Sequence, residues 1–434
     1  MPVQFVSSLI FNYLPSHYYV RILLVVFAIA VIRAYCQGRV TNRERDLHGR
    51  VILLTGGFTP IGLTLLENLA RRGAHIIALS PDPIDSPQVL LVIDALRTLS
   101  SNEHVHADHC DLNSATSVRS FCNQFLTGSE HRLDAIIFAH EYEHIGAMWG
   151  TAHVRDSQKR IDASMSTFLI TTLLLPVLLV APPERDIRII SLINPFYAAA
   201  IPTFSPSSSP TVQSVFLREG YRSLKTAIFA RHLQRVLDAL PSAPAPNPDS
   251  NSPPLAGSKE QKSNIVAVSV SPGFSRADTI ASMLRANRSS PDFSFIGVIL
   301  HILLQPFSRI FARSSYYAVQ TILHALFLPT PFKRALADNA PVEGDEEEIL
   351  KPGALYSNCA VVRLNIPVRS LPTAKDPKDK KPEVVKVPHD DEMGGEEMGR
   401  LVWESFEEKL KIWENDSAEN KPSDPPVSTH VKQD

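Results

Sequence analysis

The sequence is short of the features that would place it in several large protein classes. It has only 4 cysteines in 434 residues, Cys36, Cys110, Cys122 and Cys359, far apart and with no CxxC pair. That spacing argues against a zinc site or a disulfide framework and fits a reducing, cytosol-facing compartment. Neither charge is in excess, with 43 Lys+Arg against 45 Asp+Glu, so nothing marks a nucleic-acid partner. No internal repeat is present, which sets aside solenoids and propellers. Residues 1–17 contain no Lys or Arg, so the basic n-region of a secretory signal is missing.

What the N-terminus does have is a hydrophobic run. Residues 22–32 (ILLVVFAIAVI) carry no polar side chain, and tyrosines lie at both ends of the wider stretch. With Arg21 and Arg33 snorkelling, residues 18–36 are long enough to cross a bilayer. Arg33, Arg39, Arg43, Arg45 and Arg50 follow, and this bias places the body of the chain on the cytosolic side. A monotopic hairpin competes with a span, because residues 3–14 are also apolar and Pro15 breaks the chain. Cys36-Gln37-Gly38 is a poor cleavage site. The bilayer is therefore an expected partner. The endoplasmic reticulum is the expected compartment, with lipid droplet and mitochondrial outer membrane open, and oligomerisation is left open too.

From Val51 onward, short apolar runs alternate with longer amphipathic ones. Strands are predicted at Val51–Leu54, His75–Leu79, His104–Ala107, Ala135–Phe138, Ile187–Ile190, Ile265–Val270 and Ala360–Leu364. Helices are predicted at Ile61–Arg72, Gln88–Leu99, Ser114–Leu126, Ser157–Val180 and Tyr221–Leu240. This alternation means right-handed βαβ units, hence an α/β fold with a doubly wound parallel sheet of about seven strands. Residues 48–370 are read as this domain. Within it, residues 241–263 are Pro/Ser-rich and read as a disordered surface insert, while residues 292–312 are markedly apolar and read as a membrane-touching segment or a buried core helix. Residues 371–395 read as a solvated linker, 396–413 as a last helix with Met398, Leu401, Val402, Phe406, Leu410 and Trp413 on one face, and 414–434 as a disordered tail.

Residues 49–62 read GRVILLTGGFTPIG. A buried strand runs into Thr55-Gly56-Gly57, and a helix starts near Pro60 with Thr59 as its N-cap. Glycines at such a turn allow backbone to approach a pyrophosphate that sits on the helix N-terminus. A plain βα turn is the bland alternative. Asp82 lies about 20 residues past Gly62, near where an acid would accept the ribose hydroxyls of NAD, and no Arg stands there to meet a 2′-phosphate. The choice between NAD and NADP stays open, with a lean to NAD. Tyr221 and Lys225 stand at i and i+4 of a helix, so their side chains share a face and the ammonium favours the phenolate. A Tyr so placed can pass a proton while hydride moves to or from nicotinamide. The alternative is a surface pair on an amphipathic helix.

These stretches resemble the short-chain dehydrogenase/reductase family, and especially its membrane-anchored, retinol-dehydrogenase-like branch. Thr55, Gly56 and Gly62 match the first, second and last fixed positions of its TGxxxGxG loop, while Pro60 replaces the middle glycine. Asp111-Leu112 stands where the family has an Asp-Leu pair near the adenine, although Asp111 could equally be a helix cap. Ser271-Pro272-Gly273-Phe274 resembles the family's Pro-Gly turn, with Thr279 following, and Gly353–Cys359 resembles that branch's GxYFxDC stretch. The resemblance spans roughly residues 48–413. It implies NAD(P) as cofactor, with Thr55, Gly56, Gly57, Gly62, Asp82, Asp111, Pro272 and Gly273 lining it. It also implies Tyr221 as acid/base, Lys225 lowering its pKa, Ser191 assisting, and an apolar small molecule as substrate, whose site residues 292–312 cover as a lid. Two departures stand out. The family's Asn-Asn-Ala-Gly is Phe138-Ala139-His140-Glu141 here, and its catalytic Asn falls on Ala163. They motivate a second reading, a catalytically inactive Rossmann scaffold or nucleotide sensor at a membrane.

Overall fold

The structure, a computed structural model, describes residues 18–128, 132–142, 153–182, 185–206, 214–240, 263–286, 294–331, 348–366 and 392–419. The insert at 241–262, most of the linker and residues 420–434 lie outside the described residues.

Among these residues eight strands form one sheet: β1 Val51–Thr55, β2 His75–Ser80, β3 Val105–His109, β4 Ala135–Phe138, β5 Ile187–Leu192, β6 Ile265–Ser271, β7 Leu355–Ser357 and β8 Ala360–Val362. Their order is β3-β2-β1-β4-β5-β6-β7-β8. The first seven are parallel and β8 runs antiparallel to β7. The sequence reading of the last strand needs correction. Ala360–Val362 is an antiparallel edge, and the seventh parallel strand is Leu355–Ser357. Three residues make too short a strand signal to register, and the two are joined by Asn358 and Cys359 at φ 56° and 55°. Both central residues at positive φ define the tight hairpin turn that matches sheet twist.

The helices longer than two turns are α1 Tyr19–Gln37, α2 Pro60–Ala70, α3 Pro87–Ser100, α4 Ala115–Thr127, α5 His153–Val180, α6 Val215–Ala239, α7 Phe295–Phe311, α8 Ser315–Phe327 and α9 Gly395–Glu419. One face of the sheet buries α2, α3 and α8 against Ile52, Leu54, Ile190 and Val268. The other buries α4, α5, α6 and α9 against Leu53, Ile136, Ile189 and Ala267. Burial on both faces is why every residue of β5 and β6 is buried rather than every second one. The last helix is part of this core. Phe168 of α5, Phe229 of α6, and Trp403 and Phe406 of α9 form one ring cluster with centroids 5.3–5.6 Å apart. The helix also runs to Glu419, six residues past the predicted end, so the predicted tail begins inside it.

Helix α1 has a mean hydropathy of 2.1 over 18 residues, none of them buried, and meets the length needed to span a bilayer. It packs against α7. The chain leaving it is held to the body: the Arg39 amide donates to Asn358 Oδ1 at 2.8 Å, and Arg45 pairs with Asp186 at 2.8 Å. Residues 3–14, on which the hairpin alternative rests, lie outside the described residues.

Candidate functional site

The strand order reverses between β1 and β4, where neighbouring crossovers leave in opposite directions and open a crevice at the carboxyl ends of the strands. A cavity of about 370 Å³ lies there. The β1–α2 loop contributes Gly56, Phe58 and Thr59; the end of β2 contributes Leu79 and Pro81; Leu112 and Asn113 follow β3; His140 follows β4. Lys159, Arg160 and Ala163 of α5 and Arg222 of α6 close the far end.

The predicted turn is built as the sequence suggests. Thr59 caps α2 by accepting the Gly62 amide at 3.1 Å, and Pro60 occupies the first turn. Gly56 has φ +66°, and a Cβ on it would lie 2.6 Å from the His140 amide nitrogen. A Cβ on Gly62 would lie 2.1 Å from the Gly56 carbonyl oxygen. Loop and helix can meet this closely only as glycines. Thr55 lies beneath them, its hydroxyl 2.6 Å from His140 Nδ1. Gly57 faces Leu66 behind the loop and does not line the cavity.

Other predicted residues stand at the margins. Asp82 is exposed, its amide donating to Ser80 Oγ and its carbonyl 3.2 Å from His109 Nδ1. The Asp111 carboxylate accepts the Asn113 amide and Nδ2, both at 2.9 Å, so it shapes the loop that presents Asn113 to the cavity. The cap of the following helix falls on Ser114, not Asp111. The Pro272 carbonyl accepts from Arg313 Nη1 at 3.0 Å, and the Gly273 carbonyl accepts the Tyr142 hydroxyl at 2.6 Å. The Pro-Gly turn thus docks on Arg313 and Tyr142 beside the cavity.

The three predicted catalytic residues are not brought together at the cavity wall. Tyr221 is 3% exposed, stacks on Phe204 and donates its hydroxyl to the Thr203 carbonyl. Lys225 faces α9, where burial, and then the neighbouring Lys409, lower its pKa to about 8. Ser191 is buried in β5, opposite Phe138 and Ser269.

The α6 residue that does reach the cavity is Arg222, one position on. Its guanidinium donates to the Glu141 carboxylate and carbonyl, and to Glu219 at 2.5 Å. Burial opposes its charge, but Glu219 and Glu141 outweigh that and raise its pKa. Arg160 also pairs with Glu219, while Ser164 and Thr167 donate to Glu141. The Glu141 carboxylate and the Arg222 guanidinium require each other, since either charge left alone at such depth would be costly. Beside them His140 is buried and its pKa is lowered by desolvation, so the imidazole is neutral at physiological pH. Sequence reasoning passed over Arg222 because the motif drew attention to its neighbour. The usable signal was Glu141, an acid three residues past an apolar strand where the family has glycine.

Glycines where backbone must come close, an apolar pocket at Leu79, Pro81 and Leu112, and a switch-point location together define a Rossmann-type nucleotide-binding cleft. Leu79, Pro81 and Leu112 suit the apolar faces of an adenine ring. The pyrophosphate half of a dinucleotide does not fit this conformation. Among the first amides of α2, Pro60 has none, and Gly62 and Leu63 donate to Thr59. The Ile61 amide donates to Asp278 Oδ1 at 3.0 Å, so a carboxylate of the chain itself holds the remaining donor.

Residues 50–144 match the KR domain family. The chain is 23% identical over 345 residues to an uncharacterized oxidoreductase, pbr1, of Schizosaccharomyces pombe, covering 76% of this chain and 85% of that protein. It is 30% identical over 172 residues to human retinol dehydrogenase 13, covering 39% and 49%, and 26% identical over 194 residues to human polyprenol dehydrogenase, covering 44% and 56%. With the fold and the order of motifs, these relatives point one way: the chain is similar to oxidoreductases of the short-chain dehydrogenase/reductase kind, retinol dehydrogenases among them.

Proposed function

We propose that the protein is a membrane-anchored, NAD(P)-dependent oxidoreductase that acts on a lipid-like alcohol or ketone. The observation that carries this reading is the switch-point cavity with its glycine crossing at Gly56 and Gly62. A nicotinamide cofactor would exchange hydride with the substrate carbon; which of NAD and NADP serves is open. The chain's own part is to exclude water and to move a proton. Tyr221 is the proposed acid/base, with Lys225 and Ser191 as its proposed helpers. For that role the Tyr221 hydroxyl must leave the Thr203 carbonyl, and the start of α6 must turn it towards the cavity.

The substrate class and the membrane find support in the apolar surface next to the cleft. Phe295, Ile296, Ile302, Leu303 and Phe307 on α7 are each 60% or more exposed, and α1 lies alongside. Arg276 lies near Arg309 and Arg33, so basic charge gathers where these helices end, as suits an interface with anionic lipid. Retinol and polyprenol, in the names of two relatives, are alcohols of this apolar kind.

A second reading, a Rossmann scaffold without turnover, is favoured by one specific observation: Tyr221 and Lys225 are engaged away from the cavity, with Thr203 and Lys409. Tyr221→Phe separates the two. It removes only a hydroxyl, so fold and cofactor affinity should persist while turnover falls about 100- to 10,000-fold. Full complementation of cells lacking the protein by Tyr221→Phe/Lys225→Ala, at normal expression, would establish the scaffold.

A further inference from the structure

The turn that follows β6 packs against the first turn of α2, beside the cleft. Residues Arg276–Ala281 form a π-helical turn, a rare form found mostly at functional sites. Asp278 projects from it onto the first turn of α2. It is 1% exposed, with Oδ1 accepting the Ile61 amide at 3.0 Å and Oδ2 accepting the Ser275 hydroxyl at 2.8 Å. No cation pairs with it among the described residues. A buried carboxylate without a counter-ion is costly, and burial accordingly raises its pKa. What offsets the cost is the positive end of the α2 dipole, where an anion is favoured. That end is also where the phosphates of a dinucleotide would sit.

The turn is fastened from a second side. Tyr142, fully buried just past β4, donates its hydroxyl to the Gly273 carbonyl at 2.6 Å, accepts the Ser275 amide at 3.0 Å and lies 3.1 Å from the Thr279 hydroxyl. Its outer side packs on α7, the exposed apolar helix.

We infer that Asp278 is an internal substitute for the dinucleotide's phosphate, and that the cofactor enters only when the Ser275–Ala281 turn lifts off α2. Two anions cannot share one amide donor and one helix end without repulsion. The structure is thus the closed form, and the turn competes with the cofactor for α2. This rests on the proposed nucleotide-dependent function, of which it is a refinement.

The test uses the full-length chain in detergent, with NADH and NADPH as probes. Their affinities are measured by nicotinamide fluorescence for the wild type, Asp278→Asn and Ser275→Ala, and folding of each is checked by thermal unfolding. Asp278→Asn keeps the shape and the acceptor but removes the charge. It should bind dinucleotide about tenfold tighter or more, the scale of removing one like charge from a helix-end anion site, and Ser275→Ala should shift the same way by less. Equal or weaker binding by a folded Asp278→Asn overturns the inference while leaving the nucleotide function intact. If wild type and both variants fold yet bind neither dinucleotide, the function itself fails and the inference with it. Hydrogen exchange on the wild type keeps the question decidable should a variant not fold. Saturating NADPH should speed exchange in residues 275–281, and slowed or unchanged exchange there overturns the inference.

Discussion

At the scale of single residues, one substitution of neighbours reorganises the site. Tyr221 and Lys225 match a family motif in spacing, yet Arg222 takes the position facing the cavity. The helix is the same; what differs is which of its faces is buried. Glu141, three residues past β4, is a buried carboxylate to which Ser164 and Thr167 donate without neutralising it, and Arg222 supplies the opposite charge. Lys225 is left against α9 and Lys409 with its pKa lowered to about 8. The consequence for stability has a definite sign. With the folded pKa at about 8 and the reference at 10.5, the folded state binds fewer protons between those values, so this group's cost is full below pH 8 and is relieved as pH rises to 10.5. Lys225→Met should therefore stabilise the protein at pH 7 by about 1–3 kcal/mol, and the gain should fade by pH 10.5. Thermal unfolding at the two pH values checks this; a gain that does not depend on pH would mean the charge is not the cause.

At the scale of elements, α7 has a choice of two environments. Its apolar residues are not confined to one stripe facing the body: Gly297 and Ser308 are its buried positions, and the large hydrophobics face outward. A soluble protein rarely leaves so large an apolar patch in water. The neighbouring α1, equally bare, gives the patch a common direction, and both ends carry arginines rather than acids. The helix should therefore lie in the bilayer interface as well as beside the cleft. A polarity-sensitive fluorophore on Leu303→Cys in the full chain should show a blue-shifted emission in phosphatidylcholine vesicles, and a probe at Gln158, on the exposed start of α5, should not. Water-like emission at residue 303 in vesicles would place α7 in a protein contact instead.

At the scale of the whole molecule, α1 and the body form one connected unit, because Arg39 and Arg45 tie the chain after α1 to the β7–β8 hairpin and to Asp186 just before β5, and Arg313 bridges the Cys36 carbonyl and Asn358. The basic residues from Arg33 to Arg50 should keep residues 39–434 on the cytosolic face. Protease added to intact microsomes should degrade the body and leave a short fragment containing α1, whereas full protection of the body would reverse this orientation.

Much of this was legible in the sequence because it depends on local signals. The strand–helix alternation, the apolar N-terminal run and the Thr59-Pro60 helix start are each set by neighbours within a few residues, and the parallel sheet follows from them through connection rules. The hairpin at Leu355–Val362 was misread because a three-residue strand carries too little pattern. The site was less legible for a different reason. Which side of α6 faces the cavity depends on Glu141, 81 residues away, and what occupies the α2 terminus depends on Asp278, 217 residues from Ile61. Burial energetics of charges decide such pairings, and they act only once the sheet has brought the strand ends together. The sequence by itself determined the α/β class of the fold and the apolar helix near its N-terminus. Tertiary structure alone decided that Arg222 rather than Tyr221 lines the cleft, and that a carboxylate of the chain sits where a phosphate would, because a buried charge is placed by partners that are distant along the chain.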